Sequence, residues 1–228
     1  MFFWFGILAL GRWSGSFGDI GWAWNARLKS AKWRPSAEFA ESATIFTYGI
    51  TNIFLEHLGS TDNVWSPKDL EHVSIAALFI GGGLFGMIIE STRMRYFLNT
   101  TVDVAVESDE HGYRREEAAE LQPPETYEFS LNPIPALVVL LVGKMMSSHA
   151  QTDMTDAMIH KQWGNLLFAS SLARMATYVL LYLKPPKSVL PSRPPTELLG
   201  AFCLMTGGLI FMESVSRGVR SPFHHVTL

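Results

Sequence analysis

The stretch LEHVSIAALFIGGGLFGMIIES (70–91) decides the fold. Its middle, residues 74–89, carries no charge, and the run extends to Phe97 if Glu90 and Arg93 are tolerated. A helix that crosses a bilayer needs about 20 predominantly apolar residues, and this run meets that requirement. The residues before it supply a start signal. Ser66-Pro67-Lys68-Asp69 offers a capping hydroxyl, a proline at the first helical position and an acid at the third, the residue types that satisfy or tolerate the free N–H groups of a first turn.

Working outward, residues 131–148 hold one charge, Lys144, and residues 163–183 hold one, Arg174. Residues 198–212 hold none and are bracketed by Glu197 and Glu213. Residues 37–58 are more polar but contain no Lys or Arg. These five segments predict five spans. Met1–Leu10 is strongly apolar yet too short to cross, and it lacks the positive start of a secretory signal. It reads as the tail of a helix whose beginning is missing, with Phe17–Trp24 as an interfacial piece. Asn99–Glu128 is hydrophilic and without apolar period, so a long solvent loop is expected there. Residues 184–196 (KPPKSVLPSRPPT) form a proline-rich connector.

The expected architecture is therefore an all-α polytopic transmembrane helical bundle of five to seven helices. Residues 1–36 would form a truncated N-terminal hydrophobic helix and basic loop, 37–216 the bundle, and 217–228 a short tail. Composition agrees. Of 228 residues only 17% are charged and the net charge is -3, against about 25% charged in an average soluble domain. That balance excludes a nucleic-acid binder built on positive charge and a disordered chain. The one cysteine, Cys203, lies in an apolar run, so a disulfide-stapled domain is excluded as well.

Charge asymmetry gives an orientation. One side of the bilayer collects twelve Lys and Arg, from Arg12, residues 27–34, the 92–130 loop and the 184–196 connector. The other side has Lys68, Lys161, Arg217 and Arg220. The positive-inside rule then predicts a cytosolic 92–130 loop and a lumenal or extracellular opposite face.

Four histidines gather on that opposite face: His57 ends one helix, His72 begins the next, and His149 and His160 repeat the arrangement in the following pair. Glu56 and Glu71 precede two of them and Glu213 lies at similar depth. Imidazole suits Zn, Cu and Fe, and nearby acids can ligate or orient the second ring nitrogen. The four histidines are the candidate metal ligands, with Glu56, Glu71 and Glu213 as additional or supporting ligands. Facing histidines can also hold a haem iron, although the other face offers no matching pair within a span. The alternative is a set of wet interfacial side chains on a cofactor-free structural or assembly protein.

Arg174 lies too deep to snorkel and needs a buried partner. Glu90 is within about 6 Å in depth, four residues at 1.5 Å each, which predicts an Arg174–Glu90 pair, with Lys144 as a further intramembrane charge. Glu41, Tyr48, Asn52 and Glu56 form a polar stripe at helical spacing, expected to face away from lipid.

LEHVSIAALFIGGGLFGMIIES (70–91), ITNIFLEHLG (50–59) and MIHKQWGNLLFA (158–169) resemble the C-terminal domain of a fungal family named for yeast putative transmembrane protein one. The resemblance runs through residues 37–216 and is most specific at the EHVSIA…GGG…ES segment. It implies a multi-pass membrane protein of fungal origin, with a further N-terminal hydrophobic region in family members. Part of the family has been likened to mitochondrial electron-transport proteins, and the resemblance implies no particular reaction.

Overall fold

Six α-helices are found among the described residues: α1 Phe2–Ser14, α2 Ala37–Leu58, α3 Pro67–Glu90, α4 Ile134–Ser148, α5 Met154–Leu183 and α6 Pro195–Arg220. The structure, a computed structural model, describes residues 1–26, 35–58, 67–91, 94, 130–148 and 154–220. No strand occurs among the described residues. Apart from residues 94 and 130, the expected 92–130 loop lies outside them, as do the end of the tail, His149 and the side chains of Glu56 and His57.

Helix ends follow local chemistry. Ser36 Oγ accepts the Phe39 N–H at 3.0 Å and so caps α2. The Asn132 carboxamide oxygen accepts the Ile134 N–H at the start of α4, and its amide donates to Gly86 O of α3. Gly15, with φ of 98°, closes α1 in the left-handed region that glycine enters without penalty. A short 3₁₀ turn, Gly18–Ile20, follows.

α2 packs on α3, α4 on α5 and α5 on α6, and α1 lies antiparallel to α6, with Phe3 beside Gly208 and Gly6 beside Ala201 and Met205. Small residues permit these approaches. A Cβ on Gly164 would stand 2.5 Å from Gly143 O, and one on Gly83 would stand 2.5 Å from the Phe46 backbone nitrogen. The segment after α1 is tied to the connector between α5 and α6. Asn25 donates to Gly18 O and Val189 O, and Ser192 donates to Trp24 O at 2.6 Å.

Polarity is arranged inside out. Phe202, Phe85, Val179 and Leu199 are each more than half exposed, whereas Arg12, Glu38 and Glu197 are 1–3% exposed. Water would reverse that arrangement, and hydrocarbon favours it. By length and composition three described helices can cross a membrane: Asp69–Glu90, Met154–Leu183 and Pro195–Glu213. Of the other two expected spans, α4 is apolar but has 15 residues, about 22 Å of rise, short of a hydrocarbon core of about 30 Å. α2 has 22 residues and buries Glu38 and Glu41.

Candidate functional site

Two polar centres occupy opposite ends of the bundle. At the histidine end, His72 of α3 and His160 of α5 line one cavity of about 270 Å³ with Tyr48 and Asn52 of α2. Two turns of the expected polar stripe therefore do face the interior. Aromatic side chains wall the space: Tyr48 meets Phe79 edge-on at 5.4 Å between centroids, and Trp163 stacks on Phe211 at 4.6 Å. Met146 and Met212 also line it, as do Met1 and Phe2, Phe3 and Trp4 of α1.

The imidazole of His160 is oriented. Its Nδ1 is 2.8 Å from the Asp156 carbonyl oxygen, which can only accept, so Nδ1–H donates and fixes the orientation of the ring. A backbone carbonyl commonly fixes metal-ligating imidazoles in this way. Trp163 Nε1 is buried and has no hydrogen-bond partner among the described residues. Glu71, Lys144 and Glu213 are exposed. Among the described residues no group of three His, Cys, Asp or Glu side chains converges tightly enough to hold a metal ion.

At the other end, Arg12 of α1 bonds Glu38 at 2.8 Å and Glu41 at 2.9 Å, both on α2. Arg174 of α5 bonds Glu41 at 3.1 Å and Glu197 of α6 at 2.5 Å. Trp24 lies beneath both cations, 3.9 Å from the Arg12 guanidinium carbon and 5.2 Å from that of Arg174. Its φ of 54° is unusual for a bulky residue, a strain of about 1–3 kcal/mol that a desolvated cation–π contact of about 2 kcal/mol offsets. The network thus joins four helices. A second cavity, of about 40 Å³, adjoins it.

Arg174 has its buried partners, but Glu90 is not one of them. Glu90 accepts from Ser36 Oγ at 2.5 Å and Ser130 Oγ at 2.6 Å, which holds the ends of α2 and α3 to the start of α4. Depth arithmetic ranked Glu90 first because it ignores azimuth around the bundle axis. Glu38 and Glu41 are three residues apart on one face of α2, the spacing that places two acids side by side. That spacing, together with an acid in the first turn of α6, was the signal for the pairing.

The family described as Protein YTP1-like, C-terminal, matches residues 1–225. An uncharacterized membrane protein of Schizosaccharomyces pombe is 44% identical over 220 residues, covering 94% of this chain and 42% of the relative. An uncharacterized membrane protein of Saccharomyces cerevisiae is 38% identical over 237 positions, covering 97% of this chain and 36% of the relative. Protein YTP1 of the same yeast is 22% identical over 185 residues, covering 81% of this chain and 32% of that protein. The chain therefore spans less than half the length of these curated relatives. No solved structure matches it.

Proposed function

The chain belongs to the YTP1-like C-terminal family, and from that premise we propose that its membrane bundle binds a transition-metal ion at the histidine end, for metal handling or redox. The observation that carries this reading is the meeting of His72 and His160, 88 positions apart in sequence (160 − 72), at one cavity. The oriented ring of His160 and the buried Trp163 N–H, which has no partner among the described residues, support it. His57 and His149 would complete the ligand set, with Glu56, Glu71 and Glu213 around it. Thioether sulfur beside imidazole suits monovalent copper better than zinc. Haem fits less well, because about 270 Å³ lies at the bottom of the range for small-molecule pockets, about 300–1,000 Å³. In this reading the histidine end faces the lumen or exterior, and the ion-pair end and the 92–130 loop face the cytosol.

Elemental analysis of the full chain, purified without chelator, tests the proposal. Near-stoichiometric Cu, Zn or Fe that is lost on changing His72 and His160 to Ala is expected. Iron with a haem optical spectrum would transfer the site to haem. No metal in either sample would favour a second reading, a cofactor-free structural or assembly protein. The ion network supports that reading, since it fixes four helices without any ligand.

A further inference from the structure

The ion network leaves a charge unaccounted for. Three carboxylates, Glu38, Glu41 and Glu197, face two guanidiniums, Arg12 and Arg174, so among the described residues the group carries one excess negative charge. Isolated charge of that kind is not tolerated in a low-dielectric interior and is neutralised by a bound partner. The carboxylate that lacks one can be identified. Glu41 is bonded through both oxygens. Glu197 is 1% exposed and bonds Arg174 through Oε1 alone, while its Oε2 is buried without a partner among the described residues.

Space for the missing charge lies beside it. Glu197, Glu41, Arg174, Ser170 and Ser171 line the cavity of about 40 Å³, room for about two or three waters at about 10–15 Å³ each. Both serine hydroxyls donate to Leu167 O at 2.7 and 3.1 Å, so their lone pairs remain to accept from water. The charged groups that act on Glu197 are Arg12 from α1, Glu41 from α2 and Arg174 from α5. α4 contributes only Pro135, Ala136 and Val139 to the cavity. The Tyr178 hydroxyl is itself buried without a partner among the described residues.

We propose that the cavity beside Glu197 is a proton-binding site, in which the proton is held at Glu197 Oε2 and exchanges through water in the cavity. An O–H bond forms at Oε2 as one breaks on a hydronium ion, which leaves neutral water, and no electron moves. The network then becomes neutral. A proton suits this place better than a metal cation, because a metal ion would sit against the Arg174 guanidinium. The site lies on the other end of the bundle from the histidine cavity, so it stands whether or not a metal binds there.

Infrared spectroscopy of the full chain in lipid nanodiscs tests it. A carbonyl stretch of a protonated carboxylic acid, shifted in D₂O and lost in Glu197→Gln, is expected. A band that survives that substitution, or no such band in the unmodified protein at neutral pH, overturns the proposal. A second measurement needs no variant, because a hydrophobic carbodiimide adds to protonated acids in apolar surroundings. Peptide mass spectrometry should then find an adduct at Glu197 that falls at least tenfold as pH is raised through neutrality. No adduct at Glu197, or equal protection by sodium or potassium at fixed pH, overturns the proton in favour of an unprotonated carboxylate or a metal-cation site.

Discussion

The two ends of the bundle bury polar groups by opposite rules. At the ion-pair end the guanidiniums of Arg12 and Arg174 each meet two carboxylates and the adjoining space is about 40 Å³. At the histidine end, imidazoles, an amide and a phenol converge on about 270 Å³ walled by aromatic rings. His160 and Arg174 share α5 and are 14 residues apart, about 21 Å. α1 reaches both centres, with Met1–Trp4 at one and Arg12 at the other. Full charges in a low dielectric must be saturated, so that end is built for stability. Side chains without a fixed charge carry a smaller desolvation cost, so the other end can keep open space.

If this contrast holds, substitutions should separate stability from ligand binding. The largest effect is expected from Arg174→Leu, which strands Glu197 and leaves Glu41 with Arg12 alone. A loss of about 3–5 kcal/mol should appear as a sharply lowered unfolding temperature in detergent, with metal per folded molecule unchanged. Gly83→Val lies between the two ends and pushes a side chain onto the Phe46 backbone. It should cost about 1–3 kcal/mol by the same assay, and a neutral result would mean that α2 and α3 pack less closely than described.

At the histidine end the order of effects inverts. His72→Ala or His160→Ala should lower metal affinity at least tenfold while shifting stability by less than about 1 kcal/mol, both side chains being only half-buried. Equal losses of stability and metal would erase the distinction between the ends. Trp163→Phe removes an indole N–H that bonds nothing described, together with buried ring atoms stacked on Phe211. Unfolding should cost about 0.5–1.5 kcal/mol, as for other modest large-to-small core changes. Calorimetric ligand binding should weaken if that N–H serves the occupant.

Much of this was legible in the chain. The uncharged run at 74–89 and its Ser-Pro start gave α3, and one-charge segments gave α4 and α5. Helical spacing put Tyr48 and Asn52 on an interior face, where they line the histidine cavity. The depth of Arg174 required a buried partner, and it has two. Its partners were not legible, because position along the membrane normal says nothing about rotation around it. Arg12 was read only as one basic residue among twelve on its side. Nothing local marks it as buried; Trp24, Glu38 and Glu41 enclose it only once α1 lies against α6 and α2.

The sequence by itself determined the solvent and the element type. Stretches of 16 or more residues with at most one charge can satisfy their backbone in lipid only as helices, and that follows from composition and length. Tertiary structure alone decided which carboxylate meets which guanidinium and which two histidines share a cavity. Those pairings depend on helix azimuth, set where glycines let backbones touch, at Gly143 against Gly164 and Gly208 against Phe3. Hydrophobic pattern fixes which residues leave water; close packing fixes which of them meet.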